Sequence, residues 1–227
     1  WLNLREIDAT IPSHIIYPHY DDMLKASMLR ETYLFFEEVL KNNLSITNFV
    51  ASDFTMLNGR LAKHYNIPDV NGWEFRKVML PKDSHRGGLL TMASVLKVTA
   101  NGTYTSPILR GTWVLERILG TPPPRPPEGI AAVEPDIRGA TTIREQLAKH
   151  RSIESCASCH AKFDPPGFAL ESFDVIGGFR TRYRSIGEGD KPERGPIDPF
   201  INIKFKLGQA VDPSGVMLGD KQFKDIQ

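Results

Sequence analysis

The residues best suited to chemistry in this sequence are its two cysteines, Cys156 and Cys159, which His160 follows directly in the run CASCH. The spacing C-x-x-C-H is that of a c-type haem attachment site. Two thiols three residues apart on a helical turn reach the two vinyl groups along one porphyrin edge and form thioethers. The adjacent imidazole then binds the iron, and its other nitrogen commonly donates to a backbone carbonyl. The motif predicts one covalent haem c, with His160 as the proximal ligand of its iron.

Three other interpretations of the cysteine pair are open. A thioredoxin-like redox pair is expected just after a strand in a βαβ unit, whereas the segment before Cys156 has a helical pattern. A structural zinc site needs four ligands, so the pair would have to recruit distant histidines. A disulfide at this spacing would be strained and would close too small a loop to stabilise the fold much. The motif favours haem over all three.

The motif does not specify the sixth ligand of the iron. Met92 is the preferred candidate, because a turn at Gly87–Gly88 would bring it over the haem. The alternatives are His85, beside the same glycines, and Met217, which is downstream of the motif in VDPSGVMLGD. The less favoured candidates are Met79, His64 and His150.

Other residues near the motif are expected to support the haem. Arg144, Arg151 and Arg180 are candidates to pair with the haem propionates, because a guanidinium group matches the fork of a carboxylate. A solvated basic face is the alternative interpretation of these arginines. Pro166 and Phe168 are expected to pack against the porphyrin, where an apolar wall shields the iron and raises its reduction potential.

The elements that must position the motif fall into three segments. Residues 1–68 are predicted to form a helical module, and residues 69–127 a mixed segment that ends in the proline-rich connector TPPPRPP. Residues 128–227 are predicted to form a c-type haem-binding domain. The expected fold class is mainly α, with short β-hairpins and long loops around a helical segment that binds haem as in c-type cytochromes. The connector is extended because each proline ring fixes φ and disfavours helix in the residue before it.

In the first segment, residues 21–41 have helical periodicity, with Asp21 or Asp22 as the N-cap. Ser45 and Asp53 are predicted to cap two shorter helices, the second of which runs through FTMLNGRLAKHY. The residues expected on the core face of the first helix are Leu24, Met28, Phe35 and Val39.

In the middle segment, GWEFRKVML and SVLKVTANGTY are predicted to be short strands or extended loops, with a turn at Asn101–Gly102. A helix is expected to begin at the cap Ser106 with Pro107 in its first turn, and to end at Gly120. Residues 140–151 are predicted to be helical. The end of the sequence, which is rich in Gly, Pro and Asp, predicts loops and a hairpin.

The balance of charges excludes several classes of protein. The chain has 28 basic and 27 acidic residues, so its net charge is only +1, whereas nucleic-acid binders are usually strongly basic. No apolar run approaches the roughly 20 residues that a membrane-spanning helix needs. The sequence has no G-x-S-x-G, H-E-x-x-H or phosphate-binding glycine loop. Because it begins on Trp1, we expect the chain to be a fragment of a longer protein.

Several longer runs occur in a specific order: RGGLLTMASVL, TSPILRGTWVLERILGTPPP, EPDIRGATTIREQLAKHR, CASCH and DPPGFALESFDVIGGFRTRYR. In these runs the chain resembles the large planctomycete-type cytochrome c proteins, whose C-terminal half carries domains of unknown function ending around a C-x-x-C-H. The resemblance covers most of the chain. It implies an exported, haem-binding redox protein, often with another cytochrome domain far upstream.

The sequence thus supports three hypotheses about function. The first is an electron-transfer module that exchanges electrons with a redox partner protein or with another haem domain of the same polypeptide. The second is a peroxidase-like haem enzyme with an open distal site, in which His85 or Arg86 assists peroxide cleavage. The third is a haem-stabilised docking module of an exported assembly. Because c-type haem is attached outside the cytoplasm, all three place the chain in the periplasm or on an exported surface.

Overall fold

In the computed structural model, the longest helix is α1 (Asp22–Lys41), which begins where the sequence predicts. The carboxylate of Asp21 accepts a hydrogen bond from the backbone N–H of Leu24 at 2.6 Å and so caps the first turn. The four apolar residues expected on the core face of α1 are all buried. The predicted helix is therefore confirmed in its bounds, its cap and its buried face.

The structure describes residues 1–124, 141–151, 154–193, 201–217 and 219–226. In these ranges, helices are combined with three small two-stranded antiparallel sheets, β1–β2, β3–β4 and β5–β6. The remaining α-helices are α2 (Gly59–Tyr65), α3 (Ala93–Val98), α4 (Pro107–Trp113), α5 (Ile143–His150) and α6 (Glu154–Ala169). The strands are β1 (Phe54–Leu57), β2 (Arg76–Met79), β3 (Arg182–Ser185), β4 (Lys206–Ala210), β5 (Gly215–Met217) and β6 (Lys221–Phe223). Short 3₁₀ helices span Leu4–Asp8, Ile46–Phe49 and Leu89–Thr91.

The helix predicted to begin at Asp53 is wrong in its first half. Residues Phe54–Leu57 form β1, which pairs antiparallel with β2 and packs against α1. Helix α2 begins only after this strand, where the side chain of Asn58 accepts from the backbone N–H of Leu61 at 3.0 Å. The cap therefore lies five residues later than predicted, because pairing with β2 keeps the intervening residues extended. Ser45 is an N-cap as predicted, but the element that it caps is a short 3₁₀ helix.

The strand predicted in SVLKV is also wrong, since these residues form α3. Almost every position of α3 is buried, so its sequence lacks the polar face that reveals a helical period. Even Lys97 is buried, and its ammonium donates to the backbone carbonyls of Ile7 and Thr10 at 2.7 Å each. The turn predicted just after α3 is confirmed, because the side-chain oxygen of Asn101 accepts from the backbone N–H groups of Thr103 and Tyr104 at 2.8 Å each.

Helix α4 follows its prediction, with Ser106 as the N-cap and Pro107 in the first turn. It continues as one π-helical turn over Val114–Ile118, and Gly120 then takes a left-handed φ of 66°. The buried side of α4 is not wholly apolar, because Leu109 is 51% exposed while Arg110 is fully buried. The buried face of α4 is therefore partly ionic.

Helices α4 and α6 pack so closely that their backbones are in contact. A Cβ added to Gly111 of α4 would lie 1.7 Å from the carbonyl oxygen of Phe163, and one added to Gly167 of α6 would lie 1.9 Å from that of Pro107. Only glycine fits at either position. The two glycines thus hold α6 in a fixed position against α4.

The core joins parts of the chain that are far apart in sequence. The first cluster contains Leu2, Leu4, Phe35, Val39, Phe54, Leu89, Met92, Val95, Leu96, Trp113, Val114, Leu170 and Phe173. The second contains Ile16, Tyr17, Leu24, Met28, Leu57, Leu61, Ala62, Tyr65, Ile67, Ala93, Ala100, Val175 and Ile176. A third, smaller cluster of Ile143, Leu147 and Phe168 joins α5 to α6. The three predicted segments therefore share their cores, while their exact boundaries stay a prediction.

The predicted helix at 140–151 is confirmed as α5, and the hairpin expected near the end of the chain is confirmed as β5–β6. Residues 125–127 of the proline-rich connector lie outside the described residues, and so does the start of the third predicted segment at residue 128. In the described part of the chain, no helix is both long enough and apolar enough to span a membrane.

Candidate functional site

The CASCH motif lies within α6, which places Cys156, Cys159 and His160 on one face of the helix. Cys156 and His160 are each 7% exposed, and Cys159 is half-buried. Both cysteines are free thiols. Helix α5 precedes the motif, whereas a thioredoxin-like pair would follow a strand. The arrangement presents two thiols and an imidazole side by side.

The imidazole of His160 is bonded to a carboxylate one helical turn further along α6. Its Nδ1 lies 2.9 Å from Oδ1 of Asp164, whose side chain is completely buried. The other carboxylate oxygen of Asp164 lies 3.7 Å from Nε of Arg151. We expected a backbone carbonyl in this position, and the structure places a charged acceptor there instead. Sequence reasoning missed Asp164, although the i, i+4 spacing from His160 on a helix was a visible signal.

The residues of the motif fit a haem c. The two thiols are free to form thioethers, and the bond from Nδ1 to a carboxylate makes Nε2 the nitrogen that would bind iron, as is usual for metal-binding histidines. Zinc would need further protein ligands. Within the described ranges, no group of three or more His, Cys, Asp or Glu side chains is arranged to hold a metal ion.

The arginines predicted to bind propionates all have protein partners. Arg144 lies over the ring of Phe168 at 3.9 Å and donates to the backbone carbonyls of Asp212 and Ser214. The side chain of Arg180 is 8% exposed and lies 3.3 Å from a carboxylate oxygen of Glu171. These contacts show that both arginines hold elements together. Their role towards propionates stays a prediction, and so does that of Arg151, which contacts Asp164.

The two residues predicted to line the porphyrin are both buried in α6. Pro166 lies inside the helix together with Pro165, although a proline there removes one hydrogen bond of the helical ladder. Phe168 packs in the small cluster with Ile143 and Leu147. Phe168 therefore helps to join α6 to α5, and the role of both residues towards a porphyrin stays a prediction.

The three candidates for the sixth ligand lie in different surroundings. Met92 is in the first core cluster, 2% exposed, and its sulfur accepts from the hydroxyl of Thr32 at 3.5 Å. His85 has a left-handed φ of 57° and stacks face to face on Phe179, with ring centroids 4.0 Å apart. Met217 is 37% exposed on β5, the strand that packs against α6. Met217 is therefore the candidate whose strand packs against the helix that carries His160.

The less favoured candidates also have defined places. Met79 is 59% exposed at the end of β2. His64 is buried, donates from Nε2 to the carbonyl of Ile176 at 2.7 Å, and lies 5.6 Å from the ring of His19. Burial lowers the pKa of His64 to about 3 and that of His19 to about 4. The side chain of His150 lies outside the described part of the structure.

Arg86, a candidate distal residue of a peroxidase-like site, is buried, and its guanidinium group is bonded to other parts of the chain. Its guanidinium group lies 3.5 Å over the ring of Tyr65 and donates to the carbonyls of Thr91 and Gly177 at 2.6 Å each. Burial lowers the pKa of Arg86. These contacts give Arg86 a structural role, because they join Tyr65 of the second core cluster to the backbone at Thr91 and Gly177.

Comparison with known families divides the chain in two. Residues 1–67 match the model PSD4, described as a protein of unknown function (DUF1592), and residues 86–183 match PSCyt3, described as a protein of unknown function (DUF1588). Both are domains found in planctomycete-type cytochrome c proteins. The PSCyt3 match includes α3 to α6 and the whole CASCH motif, and the PSD4 match includes α1, β1 and α2. No curated protein and no solved structure matches the chain.

Proposed function

We propose that this chain is an electron-transfer module that carries one haem c on α6. The observation that supports the proposal is the geometry of the motif: two free thiols and an imidazole on one helical face, with Nδ1 of the imidazole bonded to Asp164. The haem, once bound, supplies a one-electron couple. The protein contributes the two thioether bonds from Cys156 and Cys159 and the axial nitrogen of His160.

The packing of α6 supports this role. Electron transfer needs a haem site whose geometry changes little when the iron changes its oxidation state. The backbone contacts at Gly111 and Gly167 fix α6 against α4. The buried pair of His160 and Asp164 fixes the ring orientation in the same way. The chain therefore holds the motif on a rigid element instead of a loop.

The partner in this proposal is a redox protein or another haem domain of the same polypeptide. The match to PSCyt3, which spans the motif in this chain, supports this, because such domains occur in cytochrome c proteins. Since c-type haem is attached outside the cytoplasm, we place the chain in the periplasm or on another exported surface.

A peroxidase-like enzyme is the second candidate, and one observation favours it. A carboxylate bonded to the proximal histidine pushes electron density towards the iron, which assists the breaking of an O–O bond. The distal residues that we considered do not favour it, because Arg86 is buried against Tyr65 and His85 stacks on Phe179. Electron transfer therefore remains the first proposal.

The test of haem attachment is the mass of the denatured chain after expression with the machinery that matures c-type cytochromes. We expect the mass to exceed that of the sequence by one haem. The Cys156→Ala, Cys159→Ala double variant is the matched control and should carry none. An unmodified mass for the parent chain would contradict the proposal.

Carbon monoxide separates the two candidates. If two protein ligands hold the iron, the spectrum of the reduced protein should not change when carbon monoxide is added. Rapid binding would favour the open site of a peroxidase-like enzyme over electron transfer.

A further inference from the structure

Asp164 lies outside the CASCH motif, but its carboxylate is buried beside the imidazole of the motif. It is fully buried, and it is on the same helix as His160, one turn towards the C-terminus. The 2.9 Å bond from Nδ1 of His160 to Oδ1 of Asp164 is between two side chains that are both nearly inaccessible to solvent. A buried carboxylate is costly unless it is paired, so this contact is a specific feature of the site.

We propose that Asp164 is a positioning residue that sets the orientation and the basicity of the proximal imidazole, and so lowers the reduction potential of the haem. The inference rests on the proposed function, because it needs a haem bound at His160. Asp164 acts through His160 and does not itself contact the iron.

The physical reason is the charge of the acceptor. A hydrogen bond to a carboxylate is roughly twice as strong as one to a neutral carbonyl, and it draws the Nδ1 proton towards the acceptor. The imidazole then becomes a stronger electron donor at Nε2. A stronger donor stabilises the oxidised iron more than the reduced iron, which lowers the potential.

Burial strengthens this effect. Phe163 lies between the two residues in sequence, and its ring centroid is 4.7 Å from that of His160. The backbone of Phe163 is in turn held against Gly111 of α4, so the turn that carries the pair cannot shift easily. Electrostatic interactions in such a water-poor site are stronger than at the surface.

Arg151 moderates the charge of Asp164. Its Nε is 3.7 Å from the second carboxylate oxygen, and its side chain is 34% exposed. The cation offsets part of the negative charge that His160 experiences. Removing Arg151 should therefore change the potential in the direction opposite to removing the charge of Asp164.

The test uses the haem-loaded protein and its Asp164→Asn variant, which keeps an oxygen acceptor but removes the charge. We expect the midpoint potential to rise. We also expect a weaker iron–imidazole bond, seen as a lower iron–imidazole stretching frequency if the ferrous iron is five-coordinate. If the iron is six-coordinate, we expect a shift of the His160 Nδ1 proton resonance. Asp190→Asn is the matched control, because Asp190 is 75% exposed and pairs with Arg182; it should change neither measurement.

A purely structural role for Asp164 would alter stability without moving the His160 signal. If the variant carries haem and both the potential and the signal equal those of the parent, the inference is wrong while the proposed function stands. If the parent chain itself carries no haem, the proposed function fails first.

The Arg151→Gln variant covers the case in which Asp164→Asn does not fold. It leaves the buried carboxylate in place and changes a partly exposed side chain. We expect its potential to fall and the iron–imidazole bond to strengthen. An unchanged or higher potential in this variant would overturn the inference.

Discussion

Glu31 is a carboxylic acid on the buried face of α1 and is 1% exposed. The hydroxyl of Thr55 donates to one of its oxygens at 2.7 Å, and the hydroxyl of Tyr65 donates to the other at 2.6 Å. Burial raises the pKa of Glu31 from its ordinary value of 4.5 to about 7, although both hydrogen bonds favour the charged form. The neutral form of Glu31 is therefore the one that the fold prefers.

This shift predicts a particular dependence of stability on pH. Because the folded state binds the proton more tightly than the unfolded state, the contribution of Glu31 is fully present below pH 4.5 and is lost as the pH rises to 7. We expect the free energy of unfolding of the parent to fall by about 3 kcal/mol relative to Glu31→Gln over this range, since each pKa unit is worth about 1.4 kcal/mol. Urea unfolding at a series of pH values measures this difference.

Glu37→Gln is the control for that substitution on the same helix. Glu37 is exposed, and its pairing with Lys41 lowers its pKa, so its contribution is lost as the pH falls. A difference between Glu31→Gln and the parent that stays constant from pH 4.5 to 7 would contradict the prediction. Comparing each variant with the parent also removes the opposite effect of His64, whose lowered pKa makes stability increase with pH.

The contact between α4 and α6 is the element-level feature that holds the motif. Arg110 of α4 strengthens it, because its guanidinium group is fully buried and donates to the carbonyls of Leu170, Phe173 and Asp174 just beyond the end of α6. It also lies 3.5 Å from a carboxylate oxygen of Glu171. The close approach at Gly111 brings these partners within reach.

Gly111→Ala should force the two helices apart. The new methyl group would lie 1.7 Å from the carbonyl oxygen of Phe163, and a backbone atom cannot move aside as the end of a side chain can. We expect a loss of about 3 kcal/mol in the free energy of unfolding, at the upper end for overpacking. Urea unfolding followed by circular dichroism measures the loss.

Gly208→Ala is the matched control, because its Cβ would make only ordinary contacts, the nearest at 3.4 Å from the Cβ of Ser185. It should cost much less than Gly111→Ala. Equal losses in the two variants would show that the backbone contact between α4 and α6 does not limit the packing.

Across the whole molecule, the segments that match the two family models share one interior. Tyr65 shows this most directly, because its hydroxyl donates to Glu31 in the first segment and accepts from the backbone N–H of Ala93 in the second. Between the same segments, His64 donates to the carbonyl of Ile176. The described part of residues 1–183 is therefore packed as a unit in spite of its two family matches.

This packing predicts a single cooperative unfolding transition. Circular dichroism and tryptophan fluorescence should give the same midpoint in urea. Tyr65→Phe leaves a buried carboxyl oxygen and a buried N–H without their partner, so we expect a loss of about 3 kcal/mol that moves both midpoints together.

Tyr33→Phe serves as the control, because Tyr33 is on α1 but 54% exposed, and it should leave both midpoints nearly unchanged. Two separate transitions, or a shift in one probe only, would show that the two segments unfold independently.

The amino-acid sequence alone determined the features that depend on neighbouring residues. The helical periodicity and the cap at Asp21 gave the bounds of α1, and Ser106 with Pro107 gave the start of α4. The CASCH spacing identified the candidate site, because three side chains within five residues are placed on one face by the helix itself. These signals act within a few residues, so no distant contact was needed to read them.

Only the tertiary structure decided the features that depend on distant partners. Residues Phe54–Leu57, predicted as the start of a helix, form β1 because they pair with β2. The run SVLKV, predicted as extended, forms a helix whose positions are nearly all buried. Met92 lies in the core, and Asp164 is the hydrogen-bond partner of His160. Burial, and therefore the electrostatic environment of each side chain, is set by what packs against it from elsewhere in the chain, which no local pattern records.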